Sequence, residues 1–114
     1  MGIEAKMVTI DCAEPRTLAN WWANALGTEV AADYSEFVMV AAAPVYLGFQ
    51  RVPESKQAKN RVHVDFAADD YEGEVKRLLE LGAEALGENF APGGLVWTTL
   101  RDPEGNEFDV SNSA

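Results

Sequence analysis

A chain of 114 residues, 47% hydrophobic and 25% charged, has the balance of one compact domain that can bury a core without staples. Its formal net charge of -10 repels phosphate backbones and anionic lipid. That excludes nucleic acid as a partner, and no apolar run is long enough to span a membrane; the acidity then means either solubility or a preference for cationic ligands.

The opening segment, MGIEAKMVTI, lacks the basic and apolar regions of a signal peptide, and Lys6 breaks the myristoylation pattern. The cytoplasm is the expected location. The alternation predicts a strand over 5–12, with Val8, Ile10 and Cys12 on one face and Met7, Thr9 and Asp11 on the other. Cys12 is the single cysteine, which fits a reducing compartment and reads as a buried, inert thiol. Glu14-Pro15 opens a helix whose apolar stripe is Leu18, Trp21, Trp22, Ala25 and Leu26, with Gly27 as its stop. Trp21 and Trp22 read as core. Short strands are expected over 29–32, 37–41 and 45–51.

The polar stretch 52–60 (VPESKQAKN) reads as an exposed connection, after which the pattern restarts. Residues 61–68 predict a strand with Val62, Val64 and Phe66 on one face and His63, Asp65 and Ala67 on the other. Asp69 and Glu72 have capping-box spacing, and a helix with Val75, Leu78 and Leu79 as its stripe follows to Gly82. Residues 88–94 (ENFAPGG) read as a loop, either a lid or a connection. A strand is expected over 95–100, a turn at Asp102-Pro103-Glu104-Gly105-Asn106, and a last strand over 107–111.

The same folding unit thus occurs twice: strand, acidic residue, helix, Leu-Gly, further strands. The expected fold is α+β, a single domain over 1–114 made of two βαβββ modules, about 5–52 and about 61–112. They pair into a curved, half-barrel mixed sheet with helices on the outer face and a ligand cleft between the modules. The apolar strand rows face the helices. The opposite rows hold Met7, Thr9, Asp11, Tyr46, Gly48, Gln50, His63, Asp65, Glu107 and Asp109. Polar groups on such a face need water, one another or a ligand. His63, the only histidine, reads either as a hydrogen-bonded structural residue or as a base or ligand oriented by Asp65 or Asp109. Trp97 reads either as core or, with Thr99, as part of the cleft, where it could stack on a flat or cationic ligand; Tyr46 is a similar case.

Asp11-Cys12-Ala13-Glu14-Pro15 leading to Trp21-Trp22 and Leu26-Gly27, His63-Val64-Asp65 leading to Asp70 and Leu81-Gly82, and above all Asp102-Pro103-Glu104-Gly105-Asn106-Glu107-Phe108 carry a family likeness. Over nearly its whole length the chain resembles the vicinal-oxygen-chelate superfamily, which includes glyoxalases, extradiol dioxygenases and bleomycin- and fosfomycin-resistance proteins. The resemblance implies a divalent metal cofactor held from the first and last strands of each module. Carried over residue by residue, those positions are Met7, Gln50, His63 and Asp109. A thioether does not suit a hard or borderline ion, so Met7 breaks the set. His63, Gln50 and Asp109 remain, with Asp65 or Glu107 as substitutes. The expectation is therefore a small-molecule-binding glyoxalase-like protein with an incomplete ligand set, His63 serving as base or hydrogen-bond donor and Gln50, Asp65, Trp97, Glu107, Asp109 and Tyr46 contacting the ligand. The alternatives are a metal-dependent lyase, isomerase or dioxygenase acting on a small carbonyl or diol, and a structural or regulatory partner domain. A repeat of this kind also predicts a homodimer.

Overall fold

The structure, a computed structural model, describes residues 2–112. It divides into two compact units, Met1–Lys56 and Gln57–Ala114. The first unit runs β1 (Met7–Cys12), α1 (Pro15–Leu26), β2 (Val30–Asp33), β3 (Phe37–Val40) and β4 (Tyr46–Arg51). Its sheet has the order β1-β4-β3-β2, and β1 lies parallel to β4. Val38, Val40, Leu47 and Phe49 alternate onto one face and are buried with Leu18, Ala19 and Trp22, the apolar stripe of α1. Trp21, one residue off that stripe, is only half-buried and meets Trp22 edge-on at 5.1 Å.

The second unit repeats this order with β5 (Val64–Ala67), α2 (Tyr71–Glu80), β6 (Glu84–Ala91), β7 (Leu95–Arg101) and β8 (Glu107–Ser111). Its sheet has the order β5-β8-β7-β6, with β5 parallel to β8. Phe66 and Phe108 meet edge-on at 6.0 Å on the face that also buries Leu100 and Val110. Tyr71, first residue of α2, is buried and bonds through its hydroxyl to Thr98 and to Glu88, which fastens the helix to β6 and β7.

Both helices end alike. Thr28 N–H donates to Ala23 C=O and Gly27 N–H to Asn24 C=O; Ala83 N–H donates to Leu78 C=O and Gly82 N–H to Leu79 C=O. This is one cap built twice, and each copy turns on a glycine at positive φ, 65° at Gly27 and 109° at Gly82.

Three local expectations are corrected. Strand β5 begins at Val64 rather than residue 61, and Val62 is 72% exposed. Val64 pairs with Phe108, so Val62 would face Asn106, whose backbone N–H is already committed to Asp102. The α2 cap is Asp70 instead of Asp69, its carboxylate accepting from Gly73 N–H at 3.1 Å. Residues 88–94 are not a loop throughout: β6 continues to Ala91, and only 92–94 connect it to β7. An edge strand with one exposed side does not need the alternation that a sequence reading looks for.

Candidate functional site

In β7 and β8 the side chains alternate between two environments. Thr98, Leu100, Phe108 and Val110 are buried toward α2, so Trp97, Thr99 and Asp109 take the opposite face. Asp65 pairs with Asp109, and Asp109 with Thr99, which sets these three side by side across β5, β8 and β7. His63 lies two residues before Asp65 and joins them.

Contacts among the four are close. His63 Nδ1 is 2.9 Å from Asp65 Oδ1 and 3.6 Å from Asp109 Oδ2. Thr99 Oγ1 donates to the other oxygen of Asp109, Oδ1, at 2.6 Å. Asp109 is thus fixed from one side by a hydroxyl while its second oxygen turns toward the imidazole. Asp65 is exposed and Asp109 mostly covered. Among the described residues neither carboxylate pairs with a lysine or arginine. Trp97 stands opposite Ser111, two pairs along from Thr99 and Asp109, and is half-buried on their face.

Glu107, also expected at the ligand, is occupied. Its carboxylate is buried and takes Lys59 Nζ at 3.1 Å, while Asn60 Nδ2 donates to its backbone carbonyl at 3.4 Å. The connection that carries Lys59 thereby has a structural task, which its polar composition concealed. Thr99 could be placed on this face from alternation, but its bond to Asp109 depends on strand register.

The first unit holds the remaining candidates. Met7 pairs with Tyr46, Thr9 with Gly48, and Asp11 with Gln50. In the second unit, Asp65 pairs with Asp109. Met7 and His63 both stand eight residues before the first residue of their helix, Pro15 or Tyr71. Counting from them, Thr9 corresponds to Asp65 and Gly48 to Asp109; Gln50 lies two pairs further on, on the same face. The carry-over from sequence had set Gln50 opposite Asp109. Gln50 Nε2 donates to the carbonyls of Glu36 and Arg51, each at 3.3 Å. Met7 and Tyr46 are exposed. A Cβ on Gly48 would come within 2.8 Å of the Phe37 ring and 2.9 Å of the Met7 sulfur. The first sheet thus presents a thioether and an aromatic ring where the second presents imidazole and carboxylates.

His63, Asp65 and Asp109 each offer one ligand atom, all within 4.8 Å of one another. Ligand atoms about 2.1 Å from a shared ion stand about 3.0 Å apart at a right angle and about 3.4 Å apart at the tetrahedral angle. The His63 contacts of 2.9 and 3.6 Å bracket that spacing. One imidazole nitrogen and two carboxylates suit a borderline or hard divalent ion, so these residues fit the group that the family resemblance implies.

A family model described as a glyoxalase-like domain matches residues 7–111. Among solved structures the chain is similar to a glyoxalase/bleomycin resistance protein/dioxygenase family enzyme from Burkholderia phytofirmans PsJN, at 15% identity and TM-score 0.83, covering 96% of this chain and 98% of that one. It is similar to a glyoxalase-related enzyme from Fulvimarina pelagi at 12% identity and TM-score 0.79, covering 96% and 88%. It also resembles lactoylglutathione lyase from Agrobacterium tumefaciens at 16% identity and TM-score 0.75, covering 99% and 96%. No curated protein sequence matches it.

Proposed function

The chain belongs to the glyoxalase-like domain family, and from that premise we propose that it binds a small molecule on the polar face of its second sheet. The observation that carries this reading is the imidazole of His63 set against two carboxylates, one of them fixed by Thr99. Asp65 and Asp109 attract a cationic or donor-rich group, and Trp97 on the same face offers a flat surface for stacking. His63 orients a ligand carbonyl or accepts its proton. A thermal-shift screen of cationic and aromatic metabolites, run in chelator, tests the binding. A true ligand at 100 times its Kd adds about 2.7 kcal/mol of stability, which Asp109→Asn and Trp97→Ala should reduce. A flat response throughout at millimolar concentration would sink the reading.

A second reading is favoured by the spacing of the three ligand atoms: a metal-dependent lyase, isomerase or dioxygenase acting on a small carbonyl or diol. His63, Asp65 and Asp109 would hold the ion, which when bound supplies Lewis-acid polarisation of a substrate oxygen. Thr99 keeps the Asp109 carboxylate in place, and Trp97 bounds the face on which the substrate would lie. Elemental analysis after loading with Zn, Ni, Mn or Fe decides it, since stoichiometric metal lost in His63→Ala supports the reading and no bound metal removes it. We further propose that the chain acts as a homodimer in the cytoplasm; light scattering showing a pure monomer at micromolar concentration would refute the dimer.

A further inference from the structure

We propose that Gly87 is the floor of a subsite on the second sheet that takes an uncharged planar heterocycle, held by the Trp97 ring and the side-chain amide of Asn89. This deepens the small-molecule reading above and rests on it, but needs no metal. Every other described glycine has a reason in the fold: each stands at positive φ or has a side chain against the space its Cβ would fill. Gly87 has neither. Its φ is not positive, and a Cβ there would meet nothing within 4 Å. Pairing of β6 with β7 does shift between Ala85 and Gly87. The bulge that demands glycine, however, holds it in the left-handed region, which Gly87 does not occupy. Glycine inside a strand gives up stability, and it marks places where another group comes close to the backbone.

Strand register puts this bare stretch of backbone on the polar face. Gly87 pairs with Thr99 and Asn89 with Trp97; Glu88, between them, pairs with Thr98 and takes the Tyr71 hydroxyl on the helix side. Asn89 and Trp97 are thus direct neighbours, about 4.5–5.5 Å apart at Cβ, and Trp97 lies on the diagonal from Gly87 at about 7–8 Å, within reach of a large ring. Asparagine is disfavoured in strands. Here it is exposed, and its amide makes no side-chain hydrogen bond among the described residues. A flat group over Gly87 meets an aromatic surface together with an amide that offers both a donor and an acceptor. That combination reads the edge of a heterocycle whose amino group stands next to a ring nitrogen, as an amide reads adenine. The formal net charge of -10 turns away phosphate-bearing forms of such a ring.

Calorimetric titration of the full-length protein in chelator with adenine and cytosine, and with AMP and CMP as charged controls, tests this. The bases should bind, and the monophosphates about tenfold more weakly or less. Asn89→Ala should weaken base binding about tenfold, the loss of one two-point contact. Gly87→Val should weaken it at least about tenfold by filling the floor, while its melting temperature equals or exceeds that of the wild type, since a β-branched residue suits a strand and meets no obstacle there. A merely structural glycine would give the opposite pair of results. Gly87→Ala serves as a milder second variant, with circular dichroism confirming that each is folded. On addition of adenine, the Trp97 indole and Asn89 amide resonances should move in nitrogen-15 spectra. Wild-type affinity in both Gly87→Val and Asn89→Ala overturns the proposal, as does AMP bound as tightly as adenine. Failure of both bases to bind at millimolar concentration also overturns it and leaves the wider reading to its own thermal-shift screen. A ligand from that screen that needs Asp109 and Trp97 but is indifferent to Gly87→Val keeps the binding face and removes the subsite.

Discussion

Asp102 does more bonding than any other carboxylate in the described turns. It is 4% exposed, and its oxygens accept from the backbone N–H groups of Glu104 and Asn106 and from the Asn106 side chain. Removing it strands donors that the fold has partly withdrawn from water, at roughly 1–3 kcal/mol for each group left unpaired. Asp102→Ala should therefore lose about 2–4 kcal/mol of unfolding free energy, and Asp102→Asn, which keeps one acceptor oxygen, clearly less; urea midpoints measure both. This turn was legible in the sequence because its chemistry is local: five consecutive residues contain both acceptor and donors. The contact between Thr99 and Asp109 was not. Those residues are ten apart, and their meeting depends on how β7 lies against β8. The same holds for Gly48. Alternation assigned it to the correct face, but a shift of two residues preserves the face, so parity alone could not tell whether Gly48 or Gln50 matched Asp109.

At the scale of elements, the helix ends were readable and the edge strand was not. Leu26-Gly27 and Leu81-Gly82 announce their caps because positive φ selects glycine within a few bonds of the helix. Gly27→Ala and Gly82→Ala should each cost about 1 kcal/mol, and the two costs should add, since each cap is closed within its own unit. Thermal melts of both single variants and the double variant check this. Helix α2 also carries a pH-sensitive pair. Hydrogen bonds from Arg77, 2.7 Å at the shortest, hold the Glu74 carboxyl below its ordinary value of 4.5. A depressed folded-state pKa contributes stability that is complete above pH 4.5 and is lost as pH falls through the lower folded value. Both side chains are substantially exposed, which limits the effect to about 0.5 kcal/mol. Arg77→Ala should be less stable than the wild type at neutral pH by that amount and equal to it at pH 2, as read by chemical denaturation. Strand β6 escaped sequence reading for a different reason. Only one side of it is paired, and Glu84, Glu88 and Asn89 give it the polarity of a loop.

For the whole molecule, charge is the property that acts at long range. With a formal net charge of -10, the folded chain repels itself more strongly than the expanded one does. Raising ionic strength from about 0.01 M to about 0.15 M shortens the screening length from about 30 Å to about 8 Å. The melting temperature should rise over that interval; a fall would mean that attractive pairs dominate. The family and the α+β architecture were readable at this scale because the strand–helix pattern occurs twice in order, with the Asp-Pro-Glu-Gly-Asn turn as its most specific mark. The chemistry of the second sheet was readable only in part. His63, Asp65 and Asp109 could be nominated, but Glu107 could not be assigned to Lys59 without the path of the connection.

The space above Gly48 also constrains how this sequence can change with time. A carboxylate at position 48 would give the first unit a counterpart of Asp109, but its Cβ would come within 2.8 Å of the Phe37 ring and 2.9 Å of the Met7 sulfur, so those side chains would have to shift. A histidine at position 7 without that carboxylate gains no partner of the kind His63 has. A carboxylate at position 48 therefore calls for an accompanying adjustment at Phe37 and Met7. Packing around Gly48 thus ties the identities of residues 7, 37 and 48 to one another, so that no one of them can be redesigned by itself.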